Sequence, residues 1–221
     1  MTPHHHLDET TLLRYASGGL SEAQLVVAAT HIAMCSKCTH SVRLIEAVGG
    51  RLLESSAGME LSAGSFDRLM DKLSSAPCIS RDDTREPAQT SVDVPYPLIQ
   101  YIGYRLSDVS WKTVAPGVRK HDIVLKGSAR TPQSLYLLYI DSGKAVPEHG
   151  HGGNEMTLVL SGAYQDSLGR FAPGDIADLD ENIEHQPRVE PEQPCICLVA
   201  TEAPTRFKGL FSRLLQPFVG I

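Results

Sequence analysis

GKAVPEHGHGGNEMTLVLSG, residues 143–162, is the stretch on which the reading of this 221-residue chain turns. His149 and His151 alternate, so on an extended segment both side chains leave from one side. The glycine-rich turn from Gly150 to Gly153 lets the chain reverse tightly beside an ion and returns Glu155 from the neighbouring strand. His185 adds a fourth donor from a later strand. Imidazole and carboxylate without thiolate make an open type of site that suits zinc, iron, manganese or nickel, and the spacing does not choose among them.

Around this stretch lie short β-type runs, SLYLLYI from Ser134 to Ile140, MTLVLSGAY from Met156 to Tyr164 and CICLVA from Cys195 to Ala200, separated by Gly and Pro turns. Strands at that spacing predict a barrel or a sandwich. Cys195 and Cys197 share a strand face, which fits core packing better than a redox pair. The final RFKGLFSRLLQPFVGI has apolar residues at mixed spacing and is read as a tail that packs back on the strands. Upstream, residues 75–97 are rich in Ser, Pro and charge and read as a linker, with Cys78 an incidental thiol in it.

Before the linker the pattern is helical. A short apolar stretch around Leu12, Leu13 and Tyr15 ends at Gly18 and Gly19, and the S-x-x-Q of Ser21 to Gln24 caps a helix that runs to the region of Cys35. Further helices are expected from about Thr39 to Leu53 and from Ser65 to Leu73, where Phe66, Leu69, Met70 and Leu73 recur at helical spacing. The third is short and needs a partner surface. His31 and Cys35, four apart, point from one helix face, and Cys38 follows after the turn that ends it. H-x3-C-x2-C is the spacing of a closed structural zinc site, which needs one more ligand. His4, His5 and His6 all qualify by chemistry.

Bulk properties bound the function. An apolar fraction of 42% supports a real core, and the length predicts two compact units. No run of about 18 apolar residues and no signal-peptide pattern occurs, so the expected compartment is the cytoplasm, with no membrane contact. Five cysteines, four of them in C-x2-C and C-x-C pairs, read as metal or thiol chemistry rather than a disulfide framework. The net charge is −6, and residues 1–74 hold six basic against eight acidic residues, which argues against a zinc-finger DNA binder.

Two resemblances sharpen this. Residues 143–162 are similar to the first cupin motif at every anchor, G-x5-H-x-H-x3-E-x6-G. The second motif keeps Gly174 and His185, but Asp180, Asn182 and Arg188 stand where Pro, Gly and Asn are usual. His6 followed by ATHIAMCSKC resembles the zinc-binding anti-sigma domain of the ChrR-type family over residues 1 to about 85. The resemblance implies His6, His31, Cys35 and Cys38 as zinc ligands, and zinc also on His149, His151, Glu155 and His185. It implies an anti-sigma factor that binds an extracytoplasmic-function (ECF) sigma factor, partly through the helix at Ser65–Leu73. It further implies release by an oxidative signal such as singlet oxygen or organic peroxide.

The expected fold is therefore α+β in two domains. Residues 1–76 form a small all-α zinc domain, 77–97 a linker, and 98–221 a cupin jelly-roll β-barrel that senses the signal. No catalytic residues and no organic cofactor are expected. The rival is a metal-dependent cupin enzyme, a dioxygenase or isomerase, with a structural zinc domain.

Overall fold

The structure, a computed structural model, describes residues 2–76, 93–125, 127 and 133–203, together with the backbone of residues 206–207. Cys78, most of the 75–97 stretch and most of the C-terminal segment lie outside the described residues. Four helices come first: α1 (Glu9–Ala16), α2 (Glu22–Met34), α3 (Ser36–Ser55) and α4 (Ser65–Ser75). Asp8 caps α1 by accepting from the Thr11 amide at 2.6 Å. The capping box at α2 forms in full, with Ser21 Oγ accepting from Gln24 N and Gln24 Oε1 accepting from Ser21 N.

A fifth helix, α5 (Tyr96–Ile102), starts inside the stretch whose composition reads as a linker. Pro97, the second residue of α5, sits in its first turn, where a missing N–H leaves no helix bond unmade, so the residue that reads as a breaker is accommodated there. Buried Leu98 ties α5 to α2.

The β region runs β1 (Lys112–Ala115), β2 (Val118–Asp122), β3 (Ser134–Ile140), β4 (His149–Gly150), β5 (Glu155–Ser161) and β6 (Tyr164–Asp166), then β7 (Gly169–Phe171), β8 (Ile176–Leu179), β9 (Glu184–His185), β10 (Arg188–Val189), β11 (Cys195–Thr201) and β12 (Arg206–Phe207). The expected run from Met156 to Tyr164 is two strands. Gly162, at φ +75°, turns the chain between β5 and β6, and a Cβ there would lie 2.8 Å from Cys195 Cα. Six strands pair antiparallel in the order β1-β2-β3-β11-β5-β8; β10-β6-β7 and β12-β4-β9 form two small sheets.

The central strands β3, β11 and β5 of the large sheet are largely buried on both faces, and the two-residue period sorts their side chains. Tyr136 and Ile140 of β3, Val159 of β5, and Cys195, Cys197 and Val199 of β11 face the barrel interior. Their neighbours Leu135, Leu137, Met156, Leu158, Leu198 and Ala200 face the helices. Those residues share one core cluster with Leu7, Leu12, Val26, Val27 and Val42, so helices and barrel are joined by a common apolar interior. Helix α2 packs on β3, β5 and β11 and is apolar nearly all round, as a helix enclosed by other elements must be. Helices α3 and α4 differ: α3 buries only Cys38 and Val42, and α4 buries none of its residues.

Candidate metal centres

The first centre forms at the corner between α2 and α3. The spacing predicts Cys35 on the helix of His31, but the chain turns extended at Cys35 (φ −122°, ψ 107°), which ends α2 and caps α3. Its Sγ accepts from Cys38 N at 3.5 Å, so Cys38 lies beyond the end of α2, as expected, and in the first turn of α3. Ligand atoms of His6, His31, Cys35 and Cys38 all lie within 4.8 Å of one another. His6 Nδ1 is 3.3 Å from Cys35 Sγ, and His31 Nε2 is 3.3 Å from Cys38 Sγ.

The histidine run divides its work. His6 turns to the sulfurs. The His5 ring stacks on Phe171 at 4.0 Å, and its Nε2 donates to Arg170 O at 3.0 Å. The backbone amides of His4 and His5 both donate to Asp175 Oδ1, while Ala172 N donates to Asp175 Oδ2 at 2.8 Å. Burial works to raise the Asp175 carboxyl, but the three N–H groups hold it below the usual range.

Electrostatics fit a cation. Burial pulls His31 down to about 4, keeping the imidazole neutral, and its Nδ1 donates to Gly174 O at 2.8 Å, which leaves Nε2 as the lone-pair nitrogen. Burial, with Cys35 beside it, pushes the Cys38 thiol up to about 11. A thiolate persists there only when a cation compensates its charge.

The second centre lies inside the barrel and draws on two sheets. His149 of β4 pairs directly with His185 of β9, and their Nε2 atoms are 3.1 Å apart. Glu155 begins β5 in the six-stranded sheet, so it does not come from a strand paired with β4, as the turn predicts. His151, in the loop between, places Nδ1 3.2 Å from Glu155 Oε2. All four are buried, and their ligand atoms lie within 4.8 Å. His149 Nδ1 donates to Pro147 O and His185 Nδ1 to Asp166 Oδ2, each at 2.8 Å, so both Nε2 atoms point inward as acceptors. His151 Nε2 is buried without a hydrogen-bond partner among the described residues. Facing Nε2 atoms and an orphaned nitrogen are the arrangement a metal ion would satisfy. Burial lowers His149; burial alone would raise Glu155, yet the three imidazoles hold it below its ordinary value.

Residues 100–204 match the family model for the ChrR cupin-like domain. The whole chain is 43% identical over 226 residues to the anti-sigma-E factor ChrR of Cereibacter sphaeroides, covering all of both chains. It belongs to the ChrR family. A crystal structure of Rhodobacter sphaeroides SigE in complex with the anti-sigma ChrR matches with 42% identity and a TM-score of 0.74, covering 90% of this chain and 99% of that one.

In this member of the ChrR family, the eight sequence-derived candidates fall into two clusters, each brought together by the fold. Sequence reasoning missed Asp166 and Asp175, and it marked Gly174 only as a motif anchor, not as the partner of His31. Asp166 sits in a D-x-x-G turn, where an Asp reads as turn chemistry. The bond to His31 uses only the Gly174 carbonyl, and Asp175 bonds only to amides, and neither role leaves a spacing signal. Cys195 and Cys197 are buried on β11 with Sγ atoms 3.6 Å apart, and Cys197 borders the barrel cavity. Among the described residues no helix is long and apolar enough to cross a membrane.

Proposed function

We propose that this protein is a cytoplasmic anti-sigma factor that sequesters an ECF sigma factor on an apolar face formed by α3 and α4. The observation that carries this is the apolar surface that each of the two helices exposes. Leu44, Val48 and Leu52 on α3, and Phe66, Leu69 and Leu73 on α4, each expose more than half of their surface. Helix α4 has a strongly one-sided apolar pattern yet buries none of its residues, which marks an interaction surface rather than a scattering of exposed side chains. The relative's crystallised complex with SigE supports a sigma factor as the occupant. An enzymatic reading has no such use for these helices.

In this proposal residues 1–76 form the sigma-binding domain, 77–97 connect, and 98–221 form the sensing barrel. Zinc occupies the first centre through His6, His31, Cys35 and Cys38. Zinc–nitrogen bonds of ~2.0–2.1 Å and zinc–sulfur bonds of ~2.3 Å give a tetrahedral nitrogen–sulfur edge of roughly 3.5 Å. The two 3.3 Å separations lie near it. The barrel donors His149, His151, Glu155 and His185 hold a second zinc, where a metal supplies an exchangeable coordination position. An oxidative signal arriving there reaches the sigma-binding half by direct contact, because α2 packs on the strand that begins with Glu155, and His31 bonds to Gly174 O.

The test is binding of the full chain to its cognate ECF sigma factor, with Val48→Asp and Leu69→Asp as variants. Each removes an apolar contact worth about 1.5–3 kcal/mol if fully covered, so affinity should drop tenfold or more while stability moves by no more than about 0.5 kcal/mol. Unchanged sigma binding in both variants would refute the assignment of the face.

A further inference from the structure

Inside the barrel, a cavity of about 50 Å3 is lined by His149, Glu155 and His185 together with apolar residues that include Leu138, Val146 and Val199. At ~10–15 Å3 per water it accommodates about three to five water-sized groups, the size of a short carbon chain. Water fills such a space poorly, since each molecule needs two or more polar partners and most of this wall is apolar.

Tyr164 also borders the cavity. Its hydroxyl is buried and has no hydrogen-bond partner among the described residues. Stacking on Phe171 at 4.9 Å and 14° pins the ring, so the hydroxyl does not swing out to solvent. Tyr164 and Asp166 lie two apart on β6 and share its face, and Asp166 holds His185. A buried phenol kept neutral is a hydrogen-bond donor waiting for an acceptor next to the metal donors. The charge on the site points the same way. A dication with one carboxylate and three neutral imidazoles retains one positive charge, which a monoanion cancels and an amine does not.

We propose that this cavity is a receptor site for a short aliphatic monocarboxylic acid, its carboxylate shared between the barrel metal and the Tyr164 hydroxyl and its chain against Leu138, Val146 and Val199. The proposal rests on the reading of the barrel as a metal-holding sensor.

The test uses full-length protein loaded with cobalt at both centres, with metal content measured, and propionate as the probe. Propionate should change the ligand-field bands of the barrel cobalt saturably, with calorimetry giving the affinity, and should leave the thiolate–cobalt bands of the first centre unchanged. Octanoate, too long, and propylamine, of the wrong charge, should do neither. Tyr164→Phe should keep its metal and melt at the same temperature or higher, because the hydroxyl it loses has no partner in the fold, yet bind propionate about tenfold more weakly. Metal in the barrel with no propionate response, or equal affinity in Tyr164→Phe, overturns the receptor site and leaves the metal centre standing. A barrel that takes up no metal overturns both. Sigma-factor binding by the same preparation reports separately on the anti-sigma reading.

Discussion

Asp175→Asn should loosen the first metal centre without touching a single metal ligand. The carboxylate accepts three backbone N–H bonds, two of them at Oδ1 from His4 and His5 and one at Oδ2 from Ala172. An amide fits best with its oxygen at the Oδ1 position, which sets its NH2 against the Ala172 N–H. One charge-assisted bond of about 1.5–3 kcal/mol is then lost outright. The other two fall to about half their strength on becoming neutral. Part of this is offset because an amide is less costly to bury than a carboxylate, leaving a net destabilisation of about 2–4 kcal/mol. His6 follows His4 and His5 directly, so the loss should appear as opening of the segment that brings His6 to Cys35. At 1.4 kcal/mol per tenfold, transfer of metal from the first centre to a chromogenic chelator should accelerate by about thirtyfold or more if the whole loss is expressed there. The sign with pH is fixed as well. The folded carboxyl is depressed below 3.8, so its contribution is fully present above that value and vanishes as pH falls through the folded value. Wild type and variant should therefore converge in acid. Urea unfolding within about 0.5 kcal/mol of wild type, with metal transfer within about twofold, would refute the coupling of Asp175 to the first centre.

Gly162→Ala should abolish a stable barrel, since the added Cβ meets backbone at Pro194 and Cys195; circular dichroism that still shows a cooperative native transition would contradict the turn geometry. Ser21→Ala removes the cap of the helix carrying His31 and should lower stability by about 1 kcal/mol in denaturant titration, partly rescued by Ser21→Asp. In metal-free protein, His31 is held at about 4 against 6.5 when unfolded, so the unfolded chain takes up a proton that the folded one refuses. Stability should thus fall as pH drops from about 6.5 to 4, and a flat denaturation midpoint across that window would show that His31 is not buried neutral.

Much of the site was legible because its signals are local. H-x-H, a glycine turn and Glu155 sit within seven residues, and H-x3-C-x2-C within eight, so the donors stand out as groups even where strand and helix periods do not place each one. The α+β class followed from the same periods. Other features misled for physical reasons. Cys35 reads as the last turn of a helix, yet its sulfur serves as a cap, and Pro97 reads as linker, yet it sits in the first turn of α5. The long apolar runs of β5 and β11 signalled strands but not what lies on their two faces.

The sequence by itself marked the barrel donors, the trio His31, Cys35 and Cys38, the helical and β halves, and the amphipathic α4, while the fold singled out His6 from the histidine run. Tertiary structure alone decided that α2 lies on the back of the strands that line the barrel, that His4 and His5 grip Asp175, and that Gly174 O orients His31. The reason lies in what carries each contact. Most of the donors are written in side-chain identity at short spacing, whereas the Asp175 and Gly174 links join backbone groups or one carboxylate across more than 140 residues of chain, and an amide or a carbonyl is the same at nearly every position.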